Sequence, residues 1–301
     1  MCSDRRVVPA FRGMRAPPPA VAATAFLLAL VGLYAFAAGT DAGRELDNAT
    51  VRYYLFVHDG LRDVATALAH LAGIVVLLPA GLALVLFAWS RDGRRPSIAA
   101  GALIVGSIAS ARLLKALLGE LQPLGSEWPR YYGPGYFPSG HGAGAMGLVL
   151  AAILLARSGR LRAAIALGAG AGVGVVGLTH VVGLSHHPTD LLGGYLLAGA
   201  WALGASVYLQ RDGDAQRSPL DDRSRAVVPA GAGPDGGRAR GGRAALLAAA
   251  AVAIGAGIAI AQGVAVEPAA GTFGVPLAAL AVAGSAALWI PIRKGSAGRV
   301  L

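Results

Sequence analysis

Apolar runs of helical length, separated by short polar stretches, recur along the whole chain. They cover residues 21–38, 64–89, 98–118, 142–156, 163–178, 191–209, 244–261 and 275–292. A helix of roughly 20 residues crosses the hydrocarbon core of a bilayer, and the run at 142–156 is the shortest of the set. The pattern predicts an all-α fold, a polytopic membrane helical bundle. Residues 1–20 form a basic tail and 21–209 a six-span core. Residues 210–243 are dense in Arg, Asp, Gly, Ser and Pro without apolar periodicity, which predicts a disordered linker. Residues 244–301 form a transmembrane hairpin whose Ala and Gly content suits close helix packing. The first run carries Ala35-Phe36-Ala37, which resembles a cleavage site, but its length favours a retained helix over a signal peptide. Between the first two runs, Leu46, Val51, Leu55 and Leu61 fall at roughly helical spacing among charged residues. This predicts an amphipathic helix at the membrane interface, with a solvated loop as the alternative.

Composition agrees with the pattern. The chain is 55% hydrophobic and only 14% charged, with mean hydropathy +0.59, whereas a soluble domain carries about 25% charged residues. The net charge of +10 does not indicate nucleic acid, because the arginines cluster in short stretches between apolar runs, as topology bias requires. Placing the N-terminus inside puts 20 Lys and Arg residues on inner segments and 4 on outer loops, with Arg112 and Lys115 inside the third span. Both termini are then cytoplasmic, and residues 119–140 and 180–190 share the outer face. Cys2, the one cysteine, excludes an intrachain disulfide and a thiolate metal cluster.

That shared face collects the polar residues of interest. Lys115 ends the third span and supplies charge for an anion; its alternative role is a snorkelling anchor. Ser139 and Gly140 precede the fourth run, where the free N–H groups of a helix N-terminus favour an anion, and Ser139 also suits an N-cap. His141 follows in the first turn. His186 and Asp190 are spaced i, i+4, so on one helix face the carboxylate holds one imidazole nitrogen and leaves the other as a nucleophile. His187, i, i+3 from Asp190, competes for that role. Pro188 places the start of the sixth helix here. His58 and His70 receive no role. The histidines lack dedicated metal-ligand spacing, so no metal and no cofactor are assigned.

With these residues in hand, the chain resembles the type 2 phosphatidic acid phosphatase family, membrane lipid phosphatases related to vanadium haloperoxidases. The family signature reads Lys-x6-Arg-Pro, Pro-Ser-Gly-His and Ser-Arg-x5-His-x3-Asp. Pro138 to His141 match the second part outright. Lys115 and Pro123 match the first, with Gln122 where arginine is expected. His186 and Asp190 match the third, with Thr179 for serine and His180 where arginine is expected. The resemblance spans about residues 60–209. It implies that His186 is a nucleophile forming a phosphohistidine, that Asp190 orients it, and that His141 protonates the leaving lipid oxygen. Lys115, Ser139 and the Gly140 amide would hold the phosphate, and the family needs no metal. Neither Gln122 nor His180 reproduces the bidentate arginine fork. Arg112, i, i+3 from Lys115, and Arg130, in the preceding loop, are the candidate replacements. A protonated His180 is a third, and would shift activity to acid pH.

The expected function is hydrolysis of a lipid phosphate or diphosphate, such as a polyprenyl diphosphate or a phosphatidic-acid-like lipid, at the outer face. The alternatives are a phosphotransferase using the same site and a degenerate member that binds phospholipid headgroups. The expected partners are the lipid substrate and the bilayer, not nucleic acid, with the C-terminal hairpin a candidate surface for self-association or a membrane partner.

Overall fold

The computed structural model describes residues 19–55, 59–70, 73–118 and 137–215, together with 275–276, 278–284, 287 and 290. Gln122, Arg130, the 244–261 run and nearly all of the 210–243 linker lie outside the described residues. Eight full helices are described: α1 (Pro19–Gly39), α2 (Asp41–Leu55), α3 (Asp59–Ala69), α4 (Ile74–Asp92), α5 (Arg94–Leu118), α6 (Gly140–Leu155), α7 (Gly159–Val182) and α8 (Pro188–Ala215). No strand occurs among the described residues.

Five helical segments are long and apolar enough to cross a membrane, and α6 is a shorter apolar helix among them. Their outward faces are hydrophobic: Val75 is 83% exposed, and Leu28 and Leu167 are each 67% exposed. A water-soluble protein of this size would bury most such residues, so these faces meet lipid. The chain is a multi-pass helical membrane protein. Its centre is α6, buried along nearly its whole length and flanked by α5, α7 and α8. The α6–α8 contact is closest near the start of α6. A Cβ on Gly194 would lie 2.5 Å from the Ser139 carbonyl oxygen and 2.8 Å from the Ala143 nitrogen, so only glycine permits this approach.

Three sequence expectations require adjustment. The second apolar run is not one helix: α3 and α4 are separate, with Gly73 as the extended N-cap of α4 and its N–H donated to the His70 carbonyl at 2.8 Å. The sixth helix continues to Ala215, into the segment read as linker. The helix α2 exists, but its buried stripe is Gly43, Asp47, Thr50 and Tyr54, while Leu46 is only half-buried. The polar stripe turns inward because α2 packs on α1, α7 and α8.

The described part of the 275–292 run packs on α7. A Cβ on Gly174 would fall 2.7 Å from Pro276 Cα, and Val275, Ala279, Val282 and Ala283 are buried. Small residues let the two backbones approach, as expected for helices in lipid. Arg162, counted among the loop arginines, is 1% exposed; its Nε donates to the Ala156 carbonyl at 3.1 Å and its Nη1 to the Ile290 carbonyl. At the same end of the bundle, Arg157 pairs with Asp92, joining the ends of α4 and α6.

Candidate active site

The site forms where the N-termini of α6 and α8 meet the C-terminal end of α7. Ser139 caps α6: its Oγ accepts the Gly142 N–H at 3.1 Å, and its own N–H donates to the Asp190 carbonyl at 2.7 Å. Ser139 is fully buried. A Cβ on Gly140 would meet nothing within 4 Å, so there is room for an anion against the first turn of α6.

Helix α7 ends in a tight turn. The His180 carbonyl accepts the Ser185 N–H at 2.9 Å and the His186 N–H at 3.2 Å, while Leu184 sits in the left-handed region at φ 57°. That turn carries His186 beneath the start of α6. Pro188 then opens α8, where its missing N–H costs nothing. Asp190, in the first turn, accepts the His187 N–H at 3.0 Å, the reach-back half of a capping box.

The three histidines meet here. His141 Nδ1 lies 3.2 Å from His186 Nε2, and His186 Nδ1 lies 3.5 Å from Asp190 Oδ2. The His180 ring stacks on that of His141 at 4.7 Å and meets the His186 ring edge-on at 5.5 Å. His180, His186 and Asp190 are each at most 5% exposed, whereas His141 is open to the surface. His187 Nδ1 is also 3.5 Å from Asp190 Oδ2, so distance to the carboxylate does not separate the two candidates. Their other partners do: His186 faces His141 and His180. Lys115 and Arg112 are within electrostatic reach of His141, and Lys115 within reach of Asp190. The positive end of α5 therefore acts on this site.

Asp47 was not singled out by the sequence. It is 8% exposed and accepts the Thr189 N–H at 3.3 Å and the Thr189 hydroxyl. It thus satisfies an N-terminal donor of α8 from a helix 142 residues away. The available signal was its position on one helical stripe with Thr50 and Tyr54. Burial pushes the Asp47 carboxyl up to about 6, with the charge on His187 working against the rise. His187 is pushed up to about 9: burial opposes its charge, but the Asp190 hydrogen bond and the Asp47 and Asp190 charges outweigh it. A raised histidine pKa contributes stability that is complete below its unfolded value near 6.5 and lost as pH rises through about 9. Thermal unfolding in detergent should therefore show a loss on the order of 2–3 kcal/mol between pH 7 and 10. His187→Gln should flatten that limb. An unchanged limb in the variant would remove His187 as its source.

Residues 97–214 match the family model of the PAP2 superfamily. A solved structure of a transmembrane PAP2 type phosphatidylglycerolphosphate phosphatase from Bacillus subtilis is similar, at 22% identity and a TM-score of 0.47, over 65% of this chain and 98% of that one. No curated protein matches the chain. The matched segment includes α6, α7 and nearly all of α5 and α8, and with them every described site residue except Asp47.

Proposed function

We propose that the protein is a lipid phosphate phosphatase working through a phosphohistidine on His186, without a metal, at the outer face of the membrane. The observation that carries this reading is the arrangement around His186, with Nδ1 toward Asp190 and Nε2 toward His141 at 3.2 Å. Asp190 favours the tautomer with the proton on Nδ1 and stabilises the imidazolium as it forms. The Nε2 lone pair attacks phosphorus, the bond from phosphorus to the lipid oxygen breaks, and protonated His141 gives that oxygen its proton. Neutral His141 then takes a proton from water as the water oxygen attacks phosphorus, and the P–N bond breaks to release phosphate. Lys115, Arg112 and the first amides of α6 balance the charge on the phosphoryl oxygens. His141 Nδ1 and His186 Nε2 are 3.2 Å apart, so a phosphoryl group between them requires the two rings to separate.

The outer-face assignment rests on the distribution of arginine. The substrate is a phosphate or diphosphate at the lipid–water boundary, because the site lies at the helix ends. The test is phosphate release by purified protein in detergent with EDTA, across lipid mono- and diphosphates from pH 5 to 8. Release from at least one lipid is expected. No release from any of them by folded protein would favour a phosphotransferase or a headgroup-binding role, which added acceptor lipids would separate.

A further inference from the structure

The third histidine changes what the cluster can bind. One ring nitrogen from each of His141, His180 and His186 lies within 4.8 Å of the other two. A tetrahedral zinc-class ion with Zn–N near 2.0–2.1 Å places its ligand nitrogens about 3.3 Å apart. His141 Nδ1 and His186 Nε2, 3.2 Å apart, already have that spacing, and nitrogens 4.8 Å apart have to close by roughly 1.5 Å.

The protonation pattern also suits a ligand set. The Ser185 hydroxyl has one hydrogen and directs it to the His180 carbonyl at 3.0 Å. At 2.8 Å from His180 Nδ1, the same oxygen therefore accepts a hydrogen from that nitrogen. With the hydroxyl hydrogen placed on the carbonyl, the proton of neutral His180 is on Nδ1 and its lone pair on Nε2. That Nε2 is buried and has no hydrogen-bond partner among the described residues, a costly condition for a polar atom in a dry site. His186 turns its Nδ1 toward Asp190 Oδ2 at 3.5 Å, a longer, electrostatic contact than the 2.8 Å one of His180. A histidine that directs one nitrogen to an oxygen acceptor and the other to a common centre has the second-shell arrangement of a metal ligand. His141 is exposed, which leaves a route for the ion and an open fourth position for water.

We propose that His141, His180 and His186 form a binding site for one divalent ion of the zinc class, and that the ion switches off the phosphatase by occupying the His186 Nε2 lone pair. The second half rests on the phosphohistidine reading above; the first does not. An arginine at position 180 would exclude such an ion by charge, so the site depends on the histidine there.

Cobalt(II) and zinc(II) titrations of the full chain in detergent test the binding without any turnover. The expected result is one equivalent of Co2+ with the intense visible absorption of tetrahedral nitrogen coordination, displaced by Zn2+. Ser185→Ala, which removes the orienting partner, should weaken binding about 10- to 100-fold, and His180→Phe should abolish the absorption in protein that still unfolds cooperatively. A wild-type protein that binds no stoichiometric Co2+, or binds it only octahedrally, overturns the site whatever the variants do. Inhibition of phosphate release by one equivalent of Zn2+, reversed by EDTA, is expected for the second half. Stoichiometric binding with undiminished release would overturn the inhibition alone. Stoichiometric binding by a protein without phosphatase activity would leave the metal site standing and remove the phosphohistidine reading.

Discussion

His186→Ala is expected to lower the turnover of the best lipid substrate by about 10^4-fold or more, the scale on which enzymes lose activity when a covalent nucleophile is removed. KM should change little, because Lys115, Arg112 and the first turn of α6 are untouched and ground-state phosphate contacts remain. The contrast with His187→Ala makes the result specific. Both side chains lie 3.5 Å from Asp190, yet only His186 faces His141. His187 instead belongs to the ionic cluster with Asp47, so its removal should cost stability and less than about tenfold in turnover. Steady-state kinetics on both variants decides the assignment. A His186→Ala protein retaining activity within tenfold of wild type, or a larger loss at position 187, would reverse it.

His141→Gln is expected to reduce hydrolysis of lipid phosphates by about 10^2- to 10^4-fold, the usual contribution of a positioned acid or base. The loss should depend on the leaving group. A lipid alkoxide needs a proton as it departs, whereas p-nitrophenolate does not. With p-nitrophenyl phosphate the variant should therefore form its phosphoenzyme nearly as fast as wild type and stall afterwards, since water attack also uses His141. Stopped-flow absorbance should show a burst of nitrophenolate equal to the enzyme, followed by slow turnover. Equal losses in the burst phase for lipid and aryl substrates would mean that His141 positions substrate and does not donate a proton.

How much of this was legible in the sequence varies with the range of the interaction. The long apolar runs marked α1, α5, α7 and α8 because lipid imposes its length on each helix independently. The start of α8 at Pro188 followed from local chemistry, since proline has one favourable place in a helix. His186 and Asp190 do face each other at 3.5 Å, but His186 lies two residues before α8, so the shared helix face read from their i, i+4 spacing is not what brings them together. What depended on distant partners was not readable. Only His70 and Gly73 mark the break between α3 and α4 in an otherwise apolar run, too little to separate two helices by hydropathy. Asp47 looked like a solvated charge on an interfacial helix, and only the packing of α2 against α8 shows what it holds. Arg162 counted as a loop arginine, while its guanidinium is buried against carbonyls of residues 156 and 290. The three-histidine cluster has no sequence spacing of its own, because its members come from the start of α6, the end of α7 and the turn that follows.

The central claim is that phosphate passes through a covalent bond to His186. The most direct measurement is rapid acquisition of the phosphoenzyme: mixing the protein with a 32P-labelled lipid phosphate in EDTA, quenching in alkali within milliseconds, and mapping the label by mass spectrometry. The account predicts up to one equivalent of phosphoryl group, stable to alkali and released by acid, on His186 and absent from His186→Ala. Robust turnover with no alkali-stable label at any quench time, or a label on another residue, would contradict it.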